Sequence, residues 1–112
     1  MHLSGINVLK ISMQIYDILT EDYVREFCER NGISRFALFG SVVRQDFGAN
    51  SDIDVLVEFR PGSVPGLYFF DLQEQLAEKI GHPVDLNTPD SLSPYFRDDV
   101  LKNAQVLYDA AA

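Results

Sequence analysis

Tyr23, Val24, Phe27 and Cys28 form an apolar stripe at helical spacing, set between Thr20, a capping residue, and Gly32. With acids in its first turn and Arg30 in its last, the pattern predicts a helix from about Glu21 to Arg30. The aromatic and aliphatic run Ser34 to Phe39, stopped by Gly40, predicts a strand. A one-turn helix over Val42 to Gln45 follows, with Ser41 as its N-cap. Ile53 to Phe59 then alternates, which assigns its faces: Ile53, Val55, Val57 and Phe59 line a core-facing side, and Asp52, Asp54, Leu56 and Glu58 the other. The two prolines and two glycines of Arg60 to Gly66 mark a loop. Leu67 to Ile80 reads as a helix with Leu67, Phe70, Leu72, Leu76, Ala77 and Ile80 turned inward and Gly81 at its end. His82 to Leu86 is a short strand, and Asn87 to Asp90 a turn. Ser93 and Pro94 open a last helix with Phe96, Val100 and Leu101 inside, and Gln105 to Tyr108 is an edge strand.

The alternation puts Asp52 and Asp54 side by side at the start of a strand. Two ionised carboxylates about 5 Å apart repel by roughly 3 kcal/mol at an effective dielectric near 20, a strain that a proton or a shared cation relieves. No His or Cys is near, so all-oxygen ligation points to Mg²⁺ or Mn²⁺ rather than zinc. A bare D-x-D is more often a polar turn leading into a strand; the Gly-Ser element upstream shifts the weight to a metal site. Gly40 allows close backbone approach to a ligand. Ser41 offers a hydroxyl, and the first helical turn presents unpaired N–H groups to a phosphate. Arg44, one turn on, can add its charge to a phosphate or to Asp46. Gly40, Ser41, Arg44 and Ser51 are therefore the candidate nucleotide-binding residues. Asp85, flanked by apolar residues, becomes a third carboxylate if its strand lies beside that of Asp52 and Asp54. Asp52, Asp54 and Asp85 are thus the candidate catalytic and metal-binding set, with Asp85 able to take a proton from an attacking hydroxyl.

Composition narrows the choice of partner. At 112 residues with 46% hydrophobic content, the chain suits a single ordinary core. A formal net charge of −8 argues against binding a DNA or RNA strand, which needs a basic patch, and favours a protein or small-molecule acceptor. The single cysteine, Cys28, fits a reducing cytoplasm, where it reads as a small buried residue. No window approaches the roughly 20 apolar residues of a membrane span, and the mildly apolar Leu3 to Leu19 lacks signal-peptide features. We divide the chain into an N-terminal extension, residues 1–19, helical or used in assembly, and a domain over residues 20–112.

The run G-S-V-V-R-Q-D-F-G-A-N-S-D-I-D-V-L-V-E-F resembles the minimal nucleotidyltransferases of the DNA polymerase beta superfamily, and the later P-V-D-L-N-T-P-D-S-L-S-P-Y-F-R-D-D-V-L is similar to their third-aspartate strand and closing helix. The likeness spans Asp22 to Tyr108. It implies an α+β fold, a two-layer nucleotidyltransferase palm whose small mixed β-sheet is covered by helices. It implies that Gly40 and Ser41 touch nucleotide phosphates, that Asp52 and Asp54 bind metal, and that Asp85 is metal ligand or base. Small members of this group are similar to antitoxins paired with a HEPN-domain toxin, so ATP is the implied substrate and a tyrosine of the toxin the implied acceptor of AMP. Two alternatives stay open: a non-catalytic subunit that neutralises its partner by occlusion, and nucleotidyl transfer to a small molecule. Homo- or hetero-oligomeric assembly is compatible with each.

Overall fold

The computed structural model describes residues 13–44, 46–48 and 50–111. Of the N-terminal extension, residues 1–12 lie outside the described residues; residues 13–18 are helical, and Ile15 and Leu19 are buried in the main core. Thr20 accepts the Tyr23 N–H at 3.2 Å and so starts α1 (Glu21–Asn31), whose Val24, Phe27 and Cys28 are buried. The helix closes on Gly32, and β1 (Ile33–Phe39) runs to Gly40 and the single turn α2 (Ser41–Arg44). After a loop come β2 (Ile53–Phe59), α3 (Tyr68–Ile80) and β3 (Val84–Asn87). A 3-10 turn (Pro89–Ser91), α4 (Arg97–Asn103) and the edge strand β4 (Gln105–Asp109) complete the chain.

The strands form one mixed sheet in the order β3-β2-β1-β4. β1 is antiparallel to both β2 and β4, while β2 and β3 are parallel, joined through α3 as parallel neighbours require. The alternation of β2 sorts its two faces as the sequence predicts. Ile53, Val55 and Val57 join the stripes of α1 and α3 in the main core; Leu56 points the other way, into a smaller cluster with Ala37 and Leu92 that Val100 and Leu101 of α4 help to cover. Sheet and α1/α3 layer make the two-layer α+β body, and α4 lies on the opposite face.

Three local expectations are corrected. Leu67 precedes α3 and is 86% exposed, and Phe70 is 59% exposed. The buried stripe is Leu72, Leu76 and Ile80, and Phe70, two positions before Leu72, points about 200° around the helix from it; Phe69 packs against the core instead. At the last helix, Ser93 and Pro94 begin a turn rather than the helix, because the Phe96 and Arg97 N–H groups both donate to Ser93 O and Phe96 has a non-helical backbone. Phe96 is therefore half-exposed instead of buried. At α2, Ser41 is not the cap: the Gly40 carbonyl accepts from the Val43 and Arg44 N–H groups, so Gly40 holds that place and Ser41 is the first helical residue. Gln45 lies outside the described residues. No helix among the described residues is long and apolar enough to cross a membrane. The Cys28 thiol is pushed up to about 12 by burial and by the neighbouring Glu29 charge, which keeps it a neutral packing group.

Candidate active site

The antiparallel register pairs Phe39, the last residue of β1, with Asp54 near the start of β2. The turn that follows Phe39 is thereby set against the Asp54 side chain. Gly40 has φ +73°, and a Cβ placed on it would collide with Asp54 Oδ2 and lie 3.0 Å from Asp54 Cγ. The glycine is thus required twice, by backbone conformation and by the carboxylate that occupies the space of a side chain. Ser41 and Val42 open α2, and their N–H groups sit where a helix has no internal acceptor.

On the other side of β2, the parallel register places Asp85 directly beside Asp54. Val84 and Leu86 are buried in the main core, so alternation turns Asp85 to the face that carries Asp54. Asp85 is exposed there, although apolar residues flank it in the chain. Asp52, also exposed, precedes the strand. Burial first, then the charges of Asp85 and Asp52, push the Asp54 carboxyl up to about 6, against a smaller opposing pull from Arg44. The three acids therefore feel one another through Asp54.

Whether these oxygens suit a divalent cation follows from the donor set. Among the described residues no three acidic, imidazole or thiol side chains converge into a ready-made cage. Magnesium does not need one: it commonly takes one or two carboxylates and completes its shell with water and substrate phosphates. A half-buried carboxylate raised by like charges, beside exposed acids, fits such a site.

Ser51 closes the loop that leads to Asp52. Its hydroxyl accepts the Gly48 N–H at 3.1 Å, and its own N–H donates to Gly48 O at 3.0 Å, closing the loop before Asp52. His82 Nε2–H donates to Ser51 O at 2.6 Å, with its ring 4.8 Å from that of Phe47. The Ile53 N–H donates to Pro83 O at 2.9 Å. The peptide leading into Asp52 is thus held from the α3–β3 connection. A histidine before a proline reads as an ordinary turn residue in the sequence, and nothing in its spacing reveals this contact.

A cavity of about 450 Å³ opens beside Asp54, lined by Gly40, Arg44 and Asp54 together with Phe39, Val43, Phe96, Asp99, Val100 and Asn103; Asp52 and Asp85 are not part of its lining. Arg44 also makes a loose, exposed contact with Asp46 Oδ2 at 3.5 Å. Of the expected nucleotide-binding residues, Gly40 and Arg44 line this cavity, Ser41 follows Gly40 in the turn, and Ser51 is not among the lining residues. The contribution of α4 was not visible in the sequence. Asp99 reads there as one more acid on a solvated helix face, and only the packing of α4 across the sheet brings it opposite Asp54.

Residues 21–107 match the family described as nucleotidyltransferase domain. The protein adenylyltransferase MntA of Thermococcus cleftensis is 36% identical over 96 residues, 85% of this chain and 92% of that protein. A solved minimal nucleotidyltransferase shares 34% identity, covering 75% of this chain and 85% of that one with a TM-score of 0.64. A tri-AMPylated HEPN toxin of Shewanella oneidensis in complex with an MNT antitoxin is similar in fold, at 22% identity, 81% and 71% coverage and a TM-score of 0.58. With a Gly-Ser turn packed on an acidic strand and these relatives over most of its length, the chain belongs to the nucleotidyltransferase family, among the minimal nucleotidyltransferases of the protein adenylyltransferase type.

Proposed function

We propose that this protein is a magnesium-dependent adenylyltransferase that passes AMP from ATP to a tyrosine hydroxyl of a HEPN-type toxin and thereby acts as its antitoxin. Residues 20–112 are the catalytic unit, working in the cytoplasm where ATP is supplied. The observation that carries this reading is the apposition of Gly40 to Asp54, with Asp85 in register beside it. A backbone turn able to receive phosphate thus lies against one carboxylate, with a second paired beside it on the neighbouring strand. The adenylyltransferase relative and the fold shared with an MNT antitoxin support the choice of nucleotide and partner.

In this reading the Gly40–Ser41 turn holds the triphosphate, Arg44 adds positive charge at the cavity wall, and Ser51 keeps the loop before Asp52 in shape. Asp52, Asp54 and Asp85 would hold magnesium, which when bound supplies neutralisation of the phosphate charge. The acceptor oxygen forms its bond to the α-phosphorus as the bond to pyrophosphate breaks, and pyrophosphate leaves with the electron pair. Asp85, exposed beside Asp54, takes the hydroxyl proton. No covalent enzyme intermediate is needed, because positioning and electrostatics account for the rate.

Incubation with ATP labelled at the α-phosphate, Mg²⁺ and the HEPN protein tests the proposal. Label on a toxin tyrosine, lost in Asp52→Asn, is the expected result. Inhibition of the toxin without label would instead indicate neutralisation by occlusion, and label appearing only on a small molecule such as an aminoglycoside would move the acceptor outside proteins.

A further inference from the structure

The cavity beside Asp54 is built from two parts of the fold. Phe39, Gly40, Val43, Arg44 and Asp54 come from β1, α2 and β2, and Phe96, Asp99, Val100 and Asn103 from the start and body of α4. Phe96 is 50% exposed, whereas Phe27, Phe36 and Phe47 are fully buried. The non-helical backbone at Phe96, set by the two bonds to Ser93 O, keeps its ring out of the core and at the cavity wall. Near the same wall, Asn103 Nδ2 donates to Asp99 O at 2.9 Å, which orients the amide and leaves its Oδ1 to accept.

We propose that the α4 side of the cavity is a nucleobase seat, in which Phe96 stacks on the base and Asn103 Oδ1 accepts a hydrogen bond from an exocyclic amino group such as that of adenine. The inference rests on the adenylyltransferase reading, which places the triphosphate at Gly40 and Ser41 of the same site. About 450 Å³ lies within the roughly 300–1,000 Å³ of small-molecule sites, and an apolar lining with few polar groups is their usual composition. An aromatic face is the standard platform for a base, and an oriented acceptor supplies the choice among bases that stacking lacks.

Calorimetric titration with ATP, ITP and inorganic tripolyphosphate, each with Mg²⁺, tests this in the wild type, Phe96→Ala, Phe96→Tyr and Asn103→Ala. Tripolyphosphate has no base, and ITP replaces the amino group by a carbonyl. Phe96→Ala is expected to bind ATP about tenfold more weakly, as loss of one stacking contact implies, with tripolyphosphate unchanged, which also shows that the variant is folded. Phe96→Tyr keeps its ATP affinity, and Asn103→Ala loses the preference for ATP over ITP. The proposal is overturned if Phe96→Ala binds ATP as the wild type does, or if it loses ATP and tripolyphosphate equally. Normal ATP binding with impaired transfer would give the α4 side to the acceptor side chain and also overturn it. If the wild type binds neither ATP nor tripolyphosphate, the adenylyltransferase reading itself fails.

Discussion

Replacing Gly40 by alanine adds one methyl group and two separable costs. The backbone at Gly40 has φ +73°, a conformation that disfavours L residues by about 1–2 kcal/mol. The new Cβ also overlaps Asp54 Oδ2 and stands 3.0 Å from Cγ and 3.3 Å from Cβ of the same aspartate. The Asp54 backbone is fixed by register on both sides, to Phe39 and to Asp85, so the carboxylate has to swing out of the turn. A displacement of about 1 Å in a catalytic group can lower the rate about 100-fold. Gly62 provides the control, because it has φ +82° and a Cβ there meets nothing within 4 Å. Gly62→Ala is expected to lose stability by the backbone cost alone and keep its transfer activity. Gly40→Ala is expected to lose at least as much stability, lowering Tm by roughly 4 °C or more per kcal/mol for a domain of this size, and nearly all activity. Thermal melts of both variants and transfer rates from labelled ATP measure the pair. The reasoning is refuted if Gly40→Ala matches Gly62→Ala in both stability and rate.

The Asp54 carboxyl, raised from its ordinary value to about 6 by burial and by Asp85 and Asp52, binds its proton more tightly folded than unfolded, so its contribution to stability is full below about pH 4 and fades as pH rises through about 6. In metal-free protein Asp54→Asn should flatten that decline, melt above the wild type beyond about pH 7 and have no transfer activity; melting below the wild type there would contradict the assignment. His82→Ala removes the donor to Ser51 O and the ring beside Phe47. In thermal melts and transfer assays it should cost about 1 kcal/mol of stability but a proportionally larger loss of transfer rate, with His82→Gln intermediate; a rate loss no larger than the stability loss in both variants would make the histidine merely structural. Phe27→Ala, at a fully buried ring packed edge-on to Phe36, should cost about 3–5 kcal/mol by urea denaturation, and a loss under about 1 kcal/mol would refute its place in the core.

Some of the structure is written locally in the chain. Thr20 and Gly32 bound α1 because capping acts over three or four residues. β2 runs from Ile53 to Phe59 with its faces sorted as read, because alternation needs only the strand itself. The same alternation turned Asp54 away from the core, whereas Asp52 precedes the strand and the sequence alone leaves the faces of Val84 and Leu86 unassigned. The start of α3 and that of α4 were misplaced for a related reason: Leu67, Phe70 and Phe96 are apolar at nearly helical spacing, and sequence hydrophobicity does not say which apolar residue a helix of given phase leaves in water.

What no local rule contains is which strands become neighbours. The pairing of β1 with β2 makes Asp54 the group for which Gly40 leaves room, and the parallel pairing of β3 with β2 across the whole of α3 sets Asp85 against Asp54. The same holds for α4 on the far face of the sheet, which brings Phe96, Asp99 and Asn103 to the cavity. The amino-acid order by itself determined most of the secondary elements, the face of β2 on which Asp54 lies and the chemistry its acids favour. The tertiary structure decided which of them meet, because contacts between distant segments depend on how the whole apolar surface is buried, and that is a property of the assembled layers.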